Sequence, residues 1–585
     1  MEMEMKRVEN SRRRIIVGKK KKPAAATAAD NGGIGKFDEY IHKSGLDPKM
    51  YQREGVEFCL RREAVTTVGG VRGGIIADEM GLGKTIVMMG LILANIASQR
   101  RTLIVVPVAL IAQWVAQLKR TIIDTGVKSD LSIFVFHGSA GKRRVVLSET
   151  RDGIVWCHRP PKKAAAAAAA GSSRAIDIVI TTYGCVAMEE PAAKKTAAAT
   201  LSLLTFCADR IIFDEAHHLR NKNSRIFKGA MRVVTAATTT GGIRPSVWIV
   251  TGTPIQNKIS DLKSLCYVLG FGVDDLNSDE KRRMIREEYV LRRTKVSVGM
   301  VATEAEATAE ATAEATEVVC APRLQSLKHY KSQVPWDSEN ELALSREIHH
   351  QARNTTDRAE RLKLYTRMRQ MCVWPALVGT SSSASSYGLS TEEYKVAVSK
   401  QSKLDRVIAT MAAESADERK SLVFCHYRRE MTQLRDMLLR GGVVASEDDV
   451  AIIDGRVTAR ERQRILAAVP KVLILQIRTC SEGLNLQTYS NVYFISPHWN
   501  PCVEDQAIAR CYRMGQTNGV RVFRFYMTDF VMEGGGVAGA AAAGAAGKEE
   551  VSGAAGAAEC ISTLDHKCEE IQERKRVLCN EFLCG

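Results

Sequence analysis

No two of the 15 cysteines in this 585-residue chain stand in a CxxC spacing, and their number is odd. That scatter argues against a disulfide framework or a zinc finger and for reduced thiols in a cytosolic or nuclear compartment. The terminal group Cys560, Cys568, Cys579 and Cys584 has the wrong intervals for a four-ligand site, so no zinc is expected. Long apolar runs are missing too. LIVVPVALIA, starting at Leu103, is too short for the roughly 18 residues of a membrane span, and it contains Pro107; no membrane partner is expected. No apolar stretch follows the basic N-terminal residues, so a secretory leader is not expected either.

Acidic residues are outnumbered, 66 against 83 Lys and Arg, which leaves a net charge of +17 and predicts an anionic partner. Nine Lys/Arg against three Glu in residues 1–23 place +6 there. The stretch RRRIIVGKKKKP suits a nuclear localisation signal or a backbone-gripping arm, and equally a solvated tail. Hydrophobic content of 45% with 25% charged residues is that of a globular protein, and the length accommodates several cores.

Three low-complexity segments punctuate the chain at 162–173, 302–317 and 534–547, the last continuing to Ala558, and each reads as a loop insertion or linker. In the middle one Glu306, Glu310 and Glu314 recur every four residues, a like-charge spacing that disfavours an isolated helix. Between the segments, TLIVVPVA, SIFVFHG, DIVITTY, DRIIFDEA and VWIVTGT read as buried parallel strands with turn-forming or polar C-terminal ends. After residue 400 the pattern restarts with SLVFCHY, VAIID, VLILQI, NVYFIS and VRVFRFY. Two α/β lobes are the economical reading.

IIADEMGLGKT, 75–85, runs a strand into a glycine-bearing turn and then a helix. Gly81 and Gly83 free backbone N–H groups for phosphate oxygens, the helix N-terminus adds positive potential, Lys84 reaches the β/γ-phosphates, and Thr85 suits Mg²⁺. The usual phosphate-loop spelling is GxxxxGK[ST], and here Asp78 stands where its first glycine belongs. RIIFDEAHHLRN brings Asp214 and Glu215 to a strand tip, where one carboxylate suits Mg²⁺ and the next an attacking water. VWIVTGTPIQN, 247–257, ends a third strand in small hydroxyl residues and a Pro-fixed turn. QAIARCYRMGQT places Arg510 and Arg513 one helical turn apart, as two guanidiniums able to reach across a cleft to a γ-phosphate.

The ordered set DEMGLGKT, DEAHHLRN, TGTPIQN and QAIARCYRMGQT resembles the Swi/Snf-type branch of the superfamily-two, helicase-like DNA-dependent ATPases. Its wording is similar to the repair and transcription subgroup that often carries a RING finger, whose Cys/His spacing this chain lacks; no ubiquitin-ligase activity is expected. The resemblance runs over most of residues 46–533. It implies that Gln52, in MYQREGVEF, reads adenine, and that Asp78, Glu79, Met80, Gly81, Leu82, Gly83, Lys84, Thr85 and Gly483 contact nucleotide. It further implies that TLIVVPVALIAQW and DIVITTYGCVAM touch one DNA strand, that YVLRRTK ends the first lobe, and that RMRQMCVWPALV is a helical inter-lobe segment. One departure is Ser481-Glu482-Gly483, where the family carries an extra glycine before GLNL.

The expected fold is α/β: two RecA-like lobes, each a mostly parallel sheet flanked by helices. The expected domains are a basic tail (1–45), an ATP-binding lobe (46–300), a linker with a helical inter-lobe segment (301–400), and a second lobe with an Ala/Gly insert and a closing helix (401–585). The resemblance implies a nuclear protein, or one at a site of viral DNA replication, that uses ATP and Mg. It would move along double-stranded DNA and displace nucleosomes or other bound proteins. An RNA-directed DEAH-type helicase and a catalytically weakened scaffold are the competing readings.

Overall fold

The computed structural model describes residues 31–64, 71–95, 101–125, 132–138, 144–150, 153–157, 178–189, 202–204, 206–272, 274–301, 324–379, 385–478, 484–532 and 559–584. The three low-complexity segments, most of the basic tail, and Ser481, Glu482 and Gly483 lie outside the described residues.

Among the described residues the first lobe holds nine strands: β1 Gly73–Ile76, β2 Thr102–Val106, β3 Ser132–Phe136, β4 Arg144–Thr150, β5 Gly153–Cys157, β6 Ile178–Thr182, β7 Arg210–Asp214, β8 Ser246–Val250 and β9 Val290–Leu291. Their order is β5-β4-β3-β6-β2-β7-β8-β1-β9. Only the β3-β4-β5 edge is antiparallel. The second lobe holds β10 Leu327–Val334, β11 Ser421–Cys425, β12 Val450–Ile453, β13 Val472–Gln476, β14 Asn491–Phe494 and β15 Val520–Met527, in the order β10-β15-β14-β11-β13-β12. Every pair in it is parallel. These are the two RecA-like lobes of an α/β protein.

Continuous apolar runs form these strands because both sheet faces are covered. Ile211 and Phe213 enter one core of the first lobe while Ile212 enters the opposite one. Val423 and Cys425 are likewise divided from Leu422 and Phe424 in the second lobe.

The stretch read as linker contributes more than a connection. β10 pairs with β15 at the edge of the second sheet, largely exposed, so LKHYKSQV carries no run of buried apolar residues to announce it. The helices Glu339–Asn354 and Arg358–Val373 place Leu344, Ile348, Leu364 and Met368 in the same core as Val423 and Ile474.

Parallel strands align their C-terminal ends along one sheet edge, where chemistry is best exposed. Because β7, β8 and β1 are neighbours, the DEAH tip, the TGT turn and the phosphate-type loop fall side by side. The C-terminal helix Leu564–Cys584 starts in the second lobe, and its Leu578 and Cys579 pack on a core of the first.

Candidate nucleotide site between the lobes

β1 leads into the loop that ends at Gly83, where the helix Lys84–Ala94 begins. Gly83 adopts φ 80°, ψ 40°, and a Cβ on it would lie 2.4 Å from Gln52 Nε2. The left-handed backbone favours glycine, and any larger residue would also displace the Gln52 amide. Gln52 Nε2 donates to the Leu82 carbonyl (3.1 Å) and so braces the loop from behind. Lys84 Nζ donates to the carbonyls of Asp78 (2.9 Å) and Glu79 (3.4 Å). Burial holds its pKa below the usual lysine value, against the charges of Glu215, Asp78 and Asp214. The TGT turn presses on the same loop, since a Cβ on Gly252 would meet Met80 Cγ at 2.9 Å and Lys84 Nζ at 3.3 Å.

At the tip of β7 the Asp214 carboxylate accepts from Trp114 Nε1 (2.7 Å) and from the Glu215 amide (2.9 Å), while its carbonyl accepts from Tyr183 Oη (2.6 Å). Burial, then the charge of Glu215, raise the Asp214 pKa to about 6, with Trp114 and Lys84 opposing. Glu215 adopts a left-handed φ of 49°. Its carboxylate lies 3.4 Å from His217 Nδ1. Burial pushes the Glu215 carboxyl up, but His217, Lys84 and Arg510 together outweigh it and hold its pKa below the usual value. The strand tip thus holds two adjacent carboxyls shifted in opposite directions, an arrangement suited to dividing two roles between them.

The second lobe closes this cleft of about 190 Å³. Met80, Gly81, Gly83, Lys84, Thr85, Asp214 and Glu215 line it from one side, and Arg510 and Arg513 from the other. The two arginines are not on a helical face as expected: the helix Pro501–Ile508 stops before them. They sit in the turns that follow, anchored by Gln516, whose Nε2 donates to the carbonyls of Gln487, Tyr489 and Cys511. Burial and the like charge of Arg510 lower the Arg513 pKa.

The other residues expected to contact nucleotide have protein partners for their side chains. Asp78 is 1% exposed, and its carboxylate is taken by the Arg293 guanidinium and amide, so it fixes the base of the loop. Glu79 turns to Lys295, whose amide donates to it at 2.7 Å. Leu82 is buried with Tyr51 and Met300. Met80, Gly81, Gly83, Lys84 and Thr85 line the cleft itself. Gly483 lies outside the described residues.

Trp114, Tyr183, His217 and Lys295 were not singled out from sequence. Trp114 meets Asp214 across 100 positions, and no local pattern signals such a contact. Among the described residues, no group of three His, Cys, Asp or Glu could hold a metal, and no helix is long and apolar enough to cross a membrane. A Mg²⁺ ion arriving with phosphate would find one hydroxyl, Thr85, and the adjacent carboxyls of Asp214 and Glu215. The donor set fits an ion that takes its remaining ligands from phosphate and water.

Two parallel-sheet lobes closing on a phosphate-type loop, a strand-tip carboxylate pair and paired arginines define a helicase-like ATPase core. Family models agree: the SNF2-related domain matches residues 51–376, and the helicase conserved C-terminal domain matches residues 399–515. The chain belongs to the SNF2-related family, whose members are typically ATP hydrolases. It is 24% identical to a "Probable global transactivator" of Orgyia pseudotsugata multicapsid polyhedrosis virus, over 82% of this chain and 86% of that one. It is 24% identical to the human "SWI/SNF-related matrix-associated actin-dependent regulator of chromatin subfamily A member 1" over 79% of this chain, and 25% identical to the Danio rerio "DNA excision repair protein ERCC-6-like" over 84%. The match spans only 40% and 35% of those two longer proteins. Among solved structures, the "Sulfolobus solfataricus SWI2/SNF2 ATPase core in complex with dsDNA" is 19% identical, with coverage of 82% of this chain and 88% of that one and a TM-score of 0.31. The Pyrococcus furiosus Hef helicase domain is 12% identical, with coverage of 82% and 95% and a TM-score of 0.45.

Proposed function

We propose that the protein is an ATP-dependent translocase on double-stranded DNA, which couples ATP hydrolysis to movement along the duplex and displacement of bound proteins. The observation that carries this is the meeting of Lys84, Asp214 and Glu215 with Arg510 and Arg513 around one inter-lobe cleft. Lys84, half-buried with backbone carbonyls for partners, gains a far better one in a β- or γ-phosphate. Thr85 and Asp214 would hold the Mg²⁺ that accompanies ATP, which neutralises phosphate charge. Glu215, held below its usual pKa, is ionised at neutral pH and accepts the proton of the attacking water. Arg510 and Arg513 stabilise charge on the transferring phosphoryl group from the opposite lobe, so hydrolysis depends on closure.

Duplex DNA as the track is supported by family membership, by the +17 charge, and by the loops after β2 and β6. Those adjacent strands leave Val108 and Met188 exposed on the segments whose wording is similar to DNA-touching elements. Nucleosomes or other DNA-bound proteins are the proposed cargo, and the nucleus or a viral replication site the proposed compartment.

The test is ATP turnover with and without duplex DNA, single-stranded DNA and RNA. Duplex is expected to stimulate most. Lys84→Ala and Glu215→Gln are expected to lower kcat by about 1,000-fold or more, and Arg513→Ala by a similar order. No stimulation by any nucleic acid rejects the motor reading, and a preference for single-stranded RNA transfers it to an RNA helicase.

A further inference from the structure

Lys295 follows the edge strand β9 and is only 6% exposed. Its ammonium lies 3.5 Å from Glu79 Oε1, donates to the Tyr512 carbonyl at 3.3 Å, and sits 4.5 Å from the centre of the Tyr512 ring. Its own amide holds the other oxygen of Glu79 at 2.7 Å. The first partner belongs to the loop that carries Lys84. The second belongs to the other lobe, between Arg510 and Arg513 in sequence.

A buried ammonium gives up its hydration at a cost, and a contact needed only for packing would be better served by Met or Leu. Here burial indeed lowers the Lys295 pKa, with Glu79 opposing. Closure of the lobes supplies two of its three partners, the Tyr512 carbonyl and ring. The same side chain passes under the nucleotide loop, for its Cε lies 3.6 Å from where a Cβ on Gly81 would be, as does Arg513 Cβ. Lys295, Gly81 and Arg513 thus meet at one point of the lobe interface.

We propose that Lys295 is a positioning residue: by bridging Glu79 and the Tyr512 carbonyl, it seats the turn bearing Arg510 and Arg513 against the nucleotide loop when the lobes close. It does not line the nucleotide cleft and acts through the arginines. The inference rests on the ATPase reading and adds to it the element that reports closure from the loop to the arginine turn.

The experiment uses the full chain with duplex DNA and compares Lys295→Met, which keeps length and removes charge, with Lys295→Arg. A small misplacement of a catalytic group costs about 100-fold in rate. Lys295→Met is therefore expected to lower kcat by about that factor, while affinity for a fluorescent ATP analogue changes less than about threefold. Lys295→Arg is expected to recover most of the loss. Adding Arg513→Ala to Lys295→Met is expected to cost much less than Arg513→Ala costs alone, because both act on one step. Glu79→Gln, which retains an oxygen for the Lys295 amide, is expected to reproduce the kcat loss and serves if Lys295→Met does not fold. Unchanged kcat in a folded Lys295→Met, equal losses in kcat and nucleotide affinity, or full additivity with Arg513→Ala overturns the inference. Absence of DNA-stimulated turnover in the unaltered chain instead overturns the ATPase reading beneath it.

Discussion

At the tip of β7 the acid-base character of Asp214 is set by a neighbour from another element. Trp114 Nε1 donates to its carboxylate and opposes burial and the charge of Glu215, which together leave its pKa raised to about 6. Trp114→Phe preserves the ring and removes that donor, so the Asp214 pKa rises further. A carboxyl with a higher pKa is protonated over a wider acid range. In protein free of nucleotide and Mg²⁺, the variant is expected to show the Asp214 carboxyl titrating at higher pH than in the unaltered chain, read from its NMR resonance; an unchanged titration would refute the role. Lys84, Asp214 and Glu215 were legible in the sequence because each is spelled beside a strand ending. Trp114 and Tyr183 were not, because their contacts with Asp214 span 100 and 31 positions and depend on the order in which β6, β2 and β7 lie side by side.

Among the elements, strands with two covered faces announced themselves as apolar runs, and ten of those in the two sheets follow the runs quoted from sequence. The exposed edge strand β10 and the antiparallel pair β4 and β5 were not anticipated. Helices hide their ties more completely. His349, on the helix Glu339–Asn354, is 2% exposed. Its Nδ1 donates to the Ser345 carbonyl (2.7 Å) and its Nε2 accepts from the Leu564 amide (3.1 Å), so the ring must be neutral. Burial lowers its pKa to about 4, against Ser345, Asp565 and Asp529. The unfolded chain takes up this proton near pH 6.5 and the folded one near 4, so its contribution is intact above 6.5 and is lost as pH falls toward 4. Between pH 7 and 5 this amounts to about 2 kcal/mol. His349→Gln keeps an acceptor without titrating, and urea unfolding at both pH values is expected to show an acid loss smaller by about that amount. An identical loss would mean that the folded protein protonates His349 readily.

Across the whole molecule, the two lobes are joined by more than the cleft. The C-terminal helix Leu564–Cys584 is rooted in the second lobe through Asp565, which pairs with buried Lys403 and accepts from Ser496 Oγ (2.8 Å) and the Met527 amide (3.1 Å). A helix of 21 residues spans about 30 Å, enough to reach the first lobe. There Lys575 Nζ donates to Asn257 Oδ1 of the TGTPIQN turn (2.8 Å), and Leu578 packs against the first-lobe core. The root and the far end can therefore be separated by mutation. Leu578→Asp places a charge on apolar surface, which weakens the grip on the first lobe and leaves the Asp565 root intact. Small-angle scattering of the nucleotide-free variant is expected to give a larger radius of gyration than the unaltered chain, with a raised KM for ATP because the cleft spends less time closed. Unchanged dimensions and KM would mean that the contacts of Lys295 with Tyr512 and of Gln256 with Asn500 hold the lobes together without the helix.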